Sequence, residues 1–430
     1  MGKKILVILC VSLFVLLSFS PVTNSLEIST NNTNPIVKLI SEEQELTLLS
    51  GEFYLTLIAT ENVDSFNVKY VFPLDYHFQV PILLHVLNDS TADILDYQIE
   101  NDTDGINKIV NFTIGPMQKD EKVKIHFAAW VLVKNDKFED LPDYVKIPTE
   151  DELPEETKQW LASTEVVQAT NPLIKFRAKL LKRFTDNQIR LVKRVARFTR
   201  WHRPILYFIE GRTYIWFSQD AVTTLLLSGD CPGKSHLGCA LLRANGIPAR
   251  VIFGVPPNPY WYGSHSMIEY YVPDYGWVYS EIPEGHFTYE PKKRLNLRIS
   301  FPWEENDTDH YDQSERVIGM HRWFWIDNDN IDYVYYNSEE NYNSMMQSHV
   351  ENEVCTDSVK ANETFSKTRE IYYLYEYFQQ MELIGDNLIY YQNAVLFQKE
   401  AIFELSGSDN LDDYLYCLEK AKEEYTKIIL

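Results

Sequence analysis

Between residues 26 and 135, apolar and polar positions alternate in short runs. The runs 52–59 (EFYLTLIA), 66–72 (FNVKYVF), 109–114 (IVNFTI) and 123–131 (VKIHFAAWV) mix β-branched and aromatic residues with a period near two, the pattern of half-buried strands. Short polar turns separate them, so residues 26–140 read as an all-β sandwich domain. A connector rich in Pro and acidic residues follows, and residues 141–164 read as a linker. Helix and strand signals then alternate through residues 165–335. Beyond Asn341 the pattern turns helical over 368–383, 387–405 and 411–430, with Asp386-Asn387 and Gly407-Ser408-Asp409-Asn410 as turns and caps. Residues 340–430 therefore read as an antiparallel helical appendage.

The first 25 residues differ in kind. Met1-Gly2-Lys3-Lys4 is a short basic start, residues 5–19 are an almost unbroken apolar run, and small or polar residues (Ser20, Pro21, Thr23, Asn24, Ser25) follow. A run of this length suits the core of a signal peptide, whereas a membrane-spanning helix needs about 20 apolar residues. Residues 1–25 are thus expected to be a signal peptide or an uncleaved N-terminal membrane anchor. Either one predicts a protein that is secreted or held at the cell surface. Asn-X-Ser/Thr triplets at Asn31, Asn88, Asn101, Asn111, Asn306 and Asn362 add weak support, since a chain rich in Asn and Thr makes them by chance.

Charge narrows the partners. A formal net charge of −22 argues against a general nucleic-acid binder, because phosphate neutralisation needs an excess of Lys and Arg. The balance reverses locally between Lys175 and Arg203, where basic residues recur and Asp186 is the only acid. This stretch reads either as a solvated helix face or as a dock for an anionic cell-surface polymer or for acidic parts of the same chain. Outside the leader there are Cys231, Cys239, Cys355 and Cys417, too few for a disulfide scaffold. Cys355 and Cys417 read equally as an extracellular pair or as two separate thiols.

Candidate chemistry lies in residues 228–250, SGDCPGKSHLGCALLRANGIPAR. Pro232 suits the first turn of a helix, Leu237, Leu241 and Leu242 form its apolar stripe, Gly246 suits a left-handed cap, and Pro248 prevents continuation. Cys231 then sits where a helix begins, where the free N–H groups and the helix dipole favour a thiolate and a developing oxyanion. Farther on, 265–272 (HSMIEYYV) and 277–281 (WVYSE) read as two strands joined by a tight turn at Pro273-Asp274-Tyr275-Gly276. Folding back about that turn brings His265 beside the region of Glu281. A nucleophile (Cys231), a base (His265) and an orienting acid (Glu281) complete a candidate catalytic set. Glu284 and Asp274 are substitutes for the acid, although Asp274 lies at the far end of the hairpin. His236 and Cys239 read as packed helix residues. Trp201, Trp216 or Gln219 is a candidate oxyanion donor, and the aromatic loop 257–263 reads as a cleft wall or a packed loop. No zinc-ligand spacing, calcium loop or phosphate-cradling loop is apparent, so no cofactor is expected.

The set Gly229-Asp230-Cys231, Leu241-Leu242-Arg243-Ala244 and Gly246-Ile247-Pro248-Ala249-Arg250, followed by His265, Glu269, Tyr271, Pro273, Gly276 and Trp277, resembles the core motif of transglutaminase-like domains over roughly residues 205–290. The resemblance implies an α+β fold with a papain-like core at residues 165–335, a Cys-His-Asp triad and a thioester intermediate. Family members include cross-linking transglutaminases, peptide:N-glycanases and microbial proteases. Here Glu281 stands where the family usually has Asp. Together these readings imply an exported cysteine protease or amidase acting on peptide or protein amides. The alternatives are a cross-linking transglutaminase and a catalytically inactive binding scaffold at the cell surface.

Overall fold

The computed structural model describes residues 43–202, 218–227, 229–257, 264–307, 311–312, 320–334, 344–408 and 410–429. The leader expected at residues 1–25 lies outside these. Among the described residues no helix is long and apolar enough to cross a membrane.

The alternating segments form β1 (Glu43–Ala59), β2 (Phe66–Phe72), β3 (Gln79–Val86), β4 (Ile94–Asn101), β5 (Lys108–Ile114) and β6 (Lys122–Lys134). They divide between two antiparallel sheets, β1-β6-β3 and β2-β5-β4. The inner faces meet through aromatic rings: Phe127 of β6 lies 5.2 Å from Tyr70 of β2 and 5.1 Å from Phe112 of β5, centroid to centroid. Burying each such ring contributes about 1.5–3 kcal/mol.

Neither sheet is complete without chain from beyond the hairpin that carries His265. β11 (Phe324–Ile326) pairs with β2, while β12 (Ile331–Tyr333) and β13 (Ser344–Asp357) both pair with β1. The register runs from Glu43 opposite Asp357 to Ala59 opposite Ile331. Strand β13 occupies the start of the stretch read from sequence as helical. Its apolar residues are sparse, and Met346 and Val354 are the hydrophobics it buries among the described residues. Backbone pairing with β1, rather than hydrophobic period, fixes its conformation. The helices follow as α5 (Ser358–Gln379), α6 (Asp386–Gly407) and α7 (Leu411–Ile429). Asp357 caps the first of them by accepting from the Lys360 N–H at 2.9 Å. They pack on the sandwich at β3, where Gln398 donates to the Ile82 carbonyl at 2.9 Å.

Between β6 and β11 lie a helical hairpin, α1 (Pro172–Lys182) and α2 (Gln188–Trp201), then α3 (Ala221–Leu226) and α4 (Cys231–Arg243). A second sheet unit follows, made of β7 (Ala249–Val255), β8 (His265–Val272), β9 (Gly276–Ser280) and β10 (Leu295–Ile299), in the order β10-β7-β8-β9. The molecule is α+β: a β-rich region, a helix-on-sheet core and C-terminal helices. The core is bolted to the sandwich at Gln79, whose side chain donates to the Asn296 carbonyl at 2.8 Å and accepts the Asn296 N–H at 2.9 Å.

Candidate active site

Helix α4 begins at Cys231 itself. Asp230 caps it by accepting the Cys231 N–H at 2.9 Å, and Pro232 occupies the first turn. Gly246, just past the helix, has φ +83°, the left-handed conformation that glycine adopts without a Cβ penalty. The helix is largely buried along its length, but Cys231 at its tip is partly exposed. Two contacts set its position against the sheet. Ser235, one turn past Cys231, donates to the carbonyl of Ser266, the residue after His265, at 2.8 Å. Gly238 lies so close to the residue after Glu281 that a Cβ there would sit 2.7 Å from Ile282 Cγ2.

The hairpin forms about the predicted turn, with Val272 opposite Gly276 and Ile268 opposite Ser280. His265 opens β8 and Glu281 follows β9. His265 Nε2 lies 2.9 Å from Glu281 Oε1, and Glu281 is fully buried. This engagement occupies Nε2, and Cys231 lies close enough to act electrostatically on the same imidazole. Burial alone would push the His265 pKa down. Glu281 and Cys231 beside the ring outweigh it and raise the pKa to about 10. The imidazole is therefore held as a cation at neutral pH, between a sulfur and a carboxylate. Such an arrangement suits a thiol nucleophile with an acid–base group beside it.

The substitutes for the acid lie elsewhere. Glu284 is exposed, and Asp274 sits in the turn with φ +62°. His236 is fully buried, donates from Nδ1 to the Gln219 carbonyl at 2.6 Å, and is kept neutral by burial. Cys239 is buried, and burial pushes its thiol pKa up. Cys355 and Cys417 both carry free thiols. Trp216 and loop residues 258–263 lie outside the described residues. Of the remaining oxyanion candidates, Trp201 is exposed at the end of α2. Gln219 is buried beside the nucleophile, its Oε1 accepting the Asp230 N–H at 2.8 Å.

Residues 178–282 match the family described as the transglutaminase-like superfamily. This stretch is a transglutaminase-like domain. Its boundary begins earlier than the motif suggests and takes in most of the α1–α2 hairpin. Among solved structures, the chain is similar to a candidate cysteine protease from Cytophaga hutchinsonii, at 16% identity over 72% of this chain and 99% of that one, with a TM-score of 0.44. It is also similar to a candidate protease from Parabacteroides distasonis, at 16% identity over 53% of this chain and 42% of that one, with a TM-score of 0.21. No curated protein matches the chain.

One participant in the candidate site, beyond the matched stretch, escaped the sequence reading. Arg294, nearly buried just before β10, places Nη2 3.3 Å from the second oxygen of Glu281. Glu281 is thus gripped at both oxygens, by His265 and by Arg294. No local motif announces Arg294; the pairing of β10 with β7 brings it there. Elsewhere, the carboxylates of Asp102, Asp104 and Glu304 converge as a cation's ligands would, but the Arg298 guanidinium pairs with all of them.

Proposed function

We propose that the chain is a cysteine-dependent amide hydrolase, a protease or amidase, with Cys231 as nucleophile, His265 as acid–base and Glu281 as orienting acid. The observation that carries this reading is the buried Glu281 carboxylate 2.9 Å from His265 Nε2, with Cys231 at a helix start close enough to act on the same imidazole. The sulfur of Cys231 attacks the carbonyl carbon of a peptide amide, and the tetrahedral oxyanion collapses with loss of the amine. The His265 imidazolium gives its proton to that leaving nitrogen. The neutral imidazole then takes a proton from water, whose oxygen attacks the thioester; the carboxylic acid leaves and the Cys231 thiolate and His265 imidazolium are restored. Glu281 keeps Nε2 protonated and stabilises the cation each time it forms. The Gln219 side chain and the N–H groups opening α4 are the candidate oxyanion donors. The leader pattern supports action at the cell surface or outside the cell; mass spectrometry of the mature N-terminus tests that.

Incubation of the full chain and of Cys231→Ala with a casein-type substrate tests the reaction. Release of new amino termini by the wild type alone supports hydrolysis. Incorporation of a fluorescent primary amine into glutaminyl protein instead would make the enzyme a transferase. An iodoacetamide probe separates both from an inactive scaffold. Cys231 should react much faster than exposed Cys355, and similar slow labelling of the two would remove the catalytic reading.

A further inference from the structure

The α1–α2 hairpin is an island of positive charge in an acidic protein. Residues 172–201 hold ten Lys and Arg and one acid, Asp186, within a chain of net charge −22. In the fold the cations of α2 lie mostly opposite its buried face. Ile189, Leu191, Val192, Val195 and Ala196 of α2 are buried, whereas Arg190, Lys193, Arg197 and Arg200 are exposed along one stripe. Lys175 and Lys179 of α1 are exposed as well. Among the described residues, no Lys or Arg of the hairpin forms an ion pair with a carboxylate. Lysines elsewhere on the surface commonly do, as Lys360, Lys367, Lys420 and Lys427 show. Asp186, the local acid, accepts instead from the Tyr144 hydroxyl at 3.2 Å. A row of unneutralised cations is costly in self-repulsion, and an anionic partner relieves it.

The stripe runs toward the candidate active site. Lys193 lies over the Phe287 ring at 4.4 Å, and Arg200 packs where a Cβ on Gly285 would lie; both partners are in the segment just after Glu281. On the other side, His202, at the end of α2, lies 2.8 Å by Nε2 from the carbonyl of Leu225 in α3, the helix just before Cys231. Burial pushes the His202 pKa down to about 4, so that imidazole is a neutral anchor rather than part of the cationic surface. The stripe therefore ends at Arg200 and exposed Trp201, between the chain following the acid and the helix preceding the nucleophile. An exposed aromatic beside an arginine suits an extended polypeptide better than a small ion.

We propose that this hairpin face seats acidic segments of the polypeptide substrate and leads the chain to Cys231. The proposal rests on Cys231 being the acyl-accepting nucleophile and adds the substrate's chemical class: peptides with Glu- or Asp-rich stretches beside the scissile amide. Without the stripe, the protein's overall negative charge would repel such substrates.

Binding is read separately from turnover. A fluorescein-labelled oligoglutamate peptide is titrated into full-length Cys231→Ala, with anisotropy as the signal. In that background, Arg190→Gln/Lys193→Gln/Arg197→Gln is expected to weaken binding by about tenfold or more at low salt. Lys420→Gln/Lys422→Gln/Lys427→Gln removes equal charge from α7 and is expected to leave binding intact. Equal loss in both triple variants, or none in the first, overturns the proposal. So does absence of peptide binding alongside hairpin-dependent binding to phosphatidylserine vesicles, which would make the face a membrane contact. In the wild type, peptides with Glu flanks should be cleaved faster than the same peptides with Lys flanks. A chain that binds oligoglutamate through the hairpin yet cleaves no peptide refutes the hydrolase reading while leaving the anion-binding face in place.

Discussion

Two glutamates on one sheet are treated in opposite ways. Glu269 of β8 and Glu281 after β9 are both fully buried, and each is held by an arginine. Glu269 receives Arg250 Nε at 2.8 Å, and Tyr76 from the sandwich bonds to both members of the pair. The Arg250 guanidinium also stacks over the Trp277 ring at 3.9 Å. In that cluster the two charges face each other and aromatic rings, and Glu269 Oε1 is left without a hydrogen-bond partner. Glu281 receives Arg294 on one oxygen and His265 on the other, and His265 leads to a partly exposed thiol. A buried carboxylate is thus a fastening or a catalytic part according to what its second neighbour touches.

The comparison breaks most visibly at His265. His265→Ala should lower kcat by roughly 10³-fold or more, as removal of a general acid–base does. It should also slow iodoacetamide labelling of Cys231 to about the rate of Cys355. Glu281→Gln should cost about 10²-fold in kcat by loosening the imidazole and its cation, with the fold retained. Glu269→Ala should act the other way round. It strands Arg250 inside the protein and should cost about 3–5 kcal/mol of stability in denaturant titration. Should Glu281→Gln unfold the protein while Glu269→Ala spares it and abolishes turnover, the two roles have been assigned backwards.

The pH dependence sharpens the contrast. His265 has a pKa of about 10 in the folded protein against an ordinary value of 6.5. Its contribution to stability is therefore complete below the unfolded value and lost as the pH rises through about 10. The stability difference between wild type and His265→Ala should shrink across that window, and the alkaline limb of kcat/KM should fall near its upper end. Arg294→Met should have the smallest effect, about five- to tenfold in kcat with KM unchanged and with Arg294→Lys restoring part, because it acts on Glu281 rather than on substrate.

The hairpin carrying His265 was legible because its signals are local: a Pro-Asp-Tyr-Gly turn sets the register, and an Asp-Cys-Pro start with a Gly246 cap frames the helix. The same holds for the C-terminal helices, whose apolar period survives without context, although α5 starts earlier than that period indicates. What escaped depends on pairing between distant segments. β13 shows little alternation of its own and becomes a strand only because β1 offers an edge. Arg294 reads as an ordinary surface cation until β10 is laid beside β7. Tyr76 reads as a sandwich residue until Arg250 and Glu269 arrive beneath it.

Pairing of β1 with β12 and β13 also governs how the chain matures. Glu43 meets its neighbour only after residue 357 has been synthesised, so the early half emerges with strand edges bare. Expression that stops shortly after the β7–β10 sheet should yield aggregating material instead of a trimmed protein. The region that appears first in synthesis is among the last to be finished.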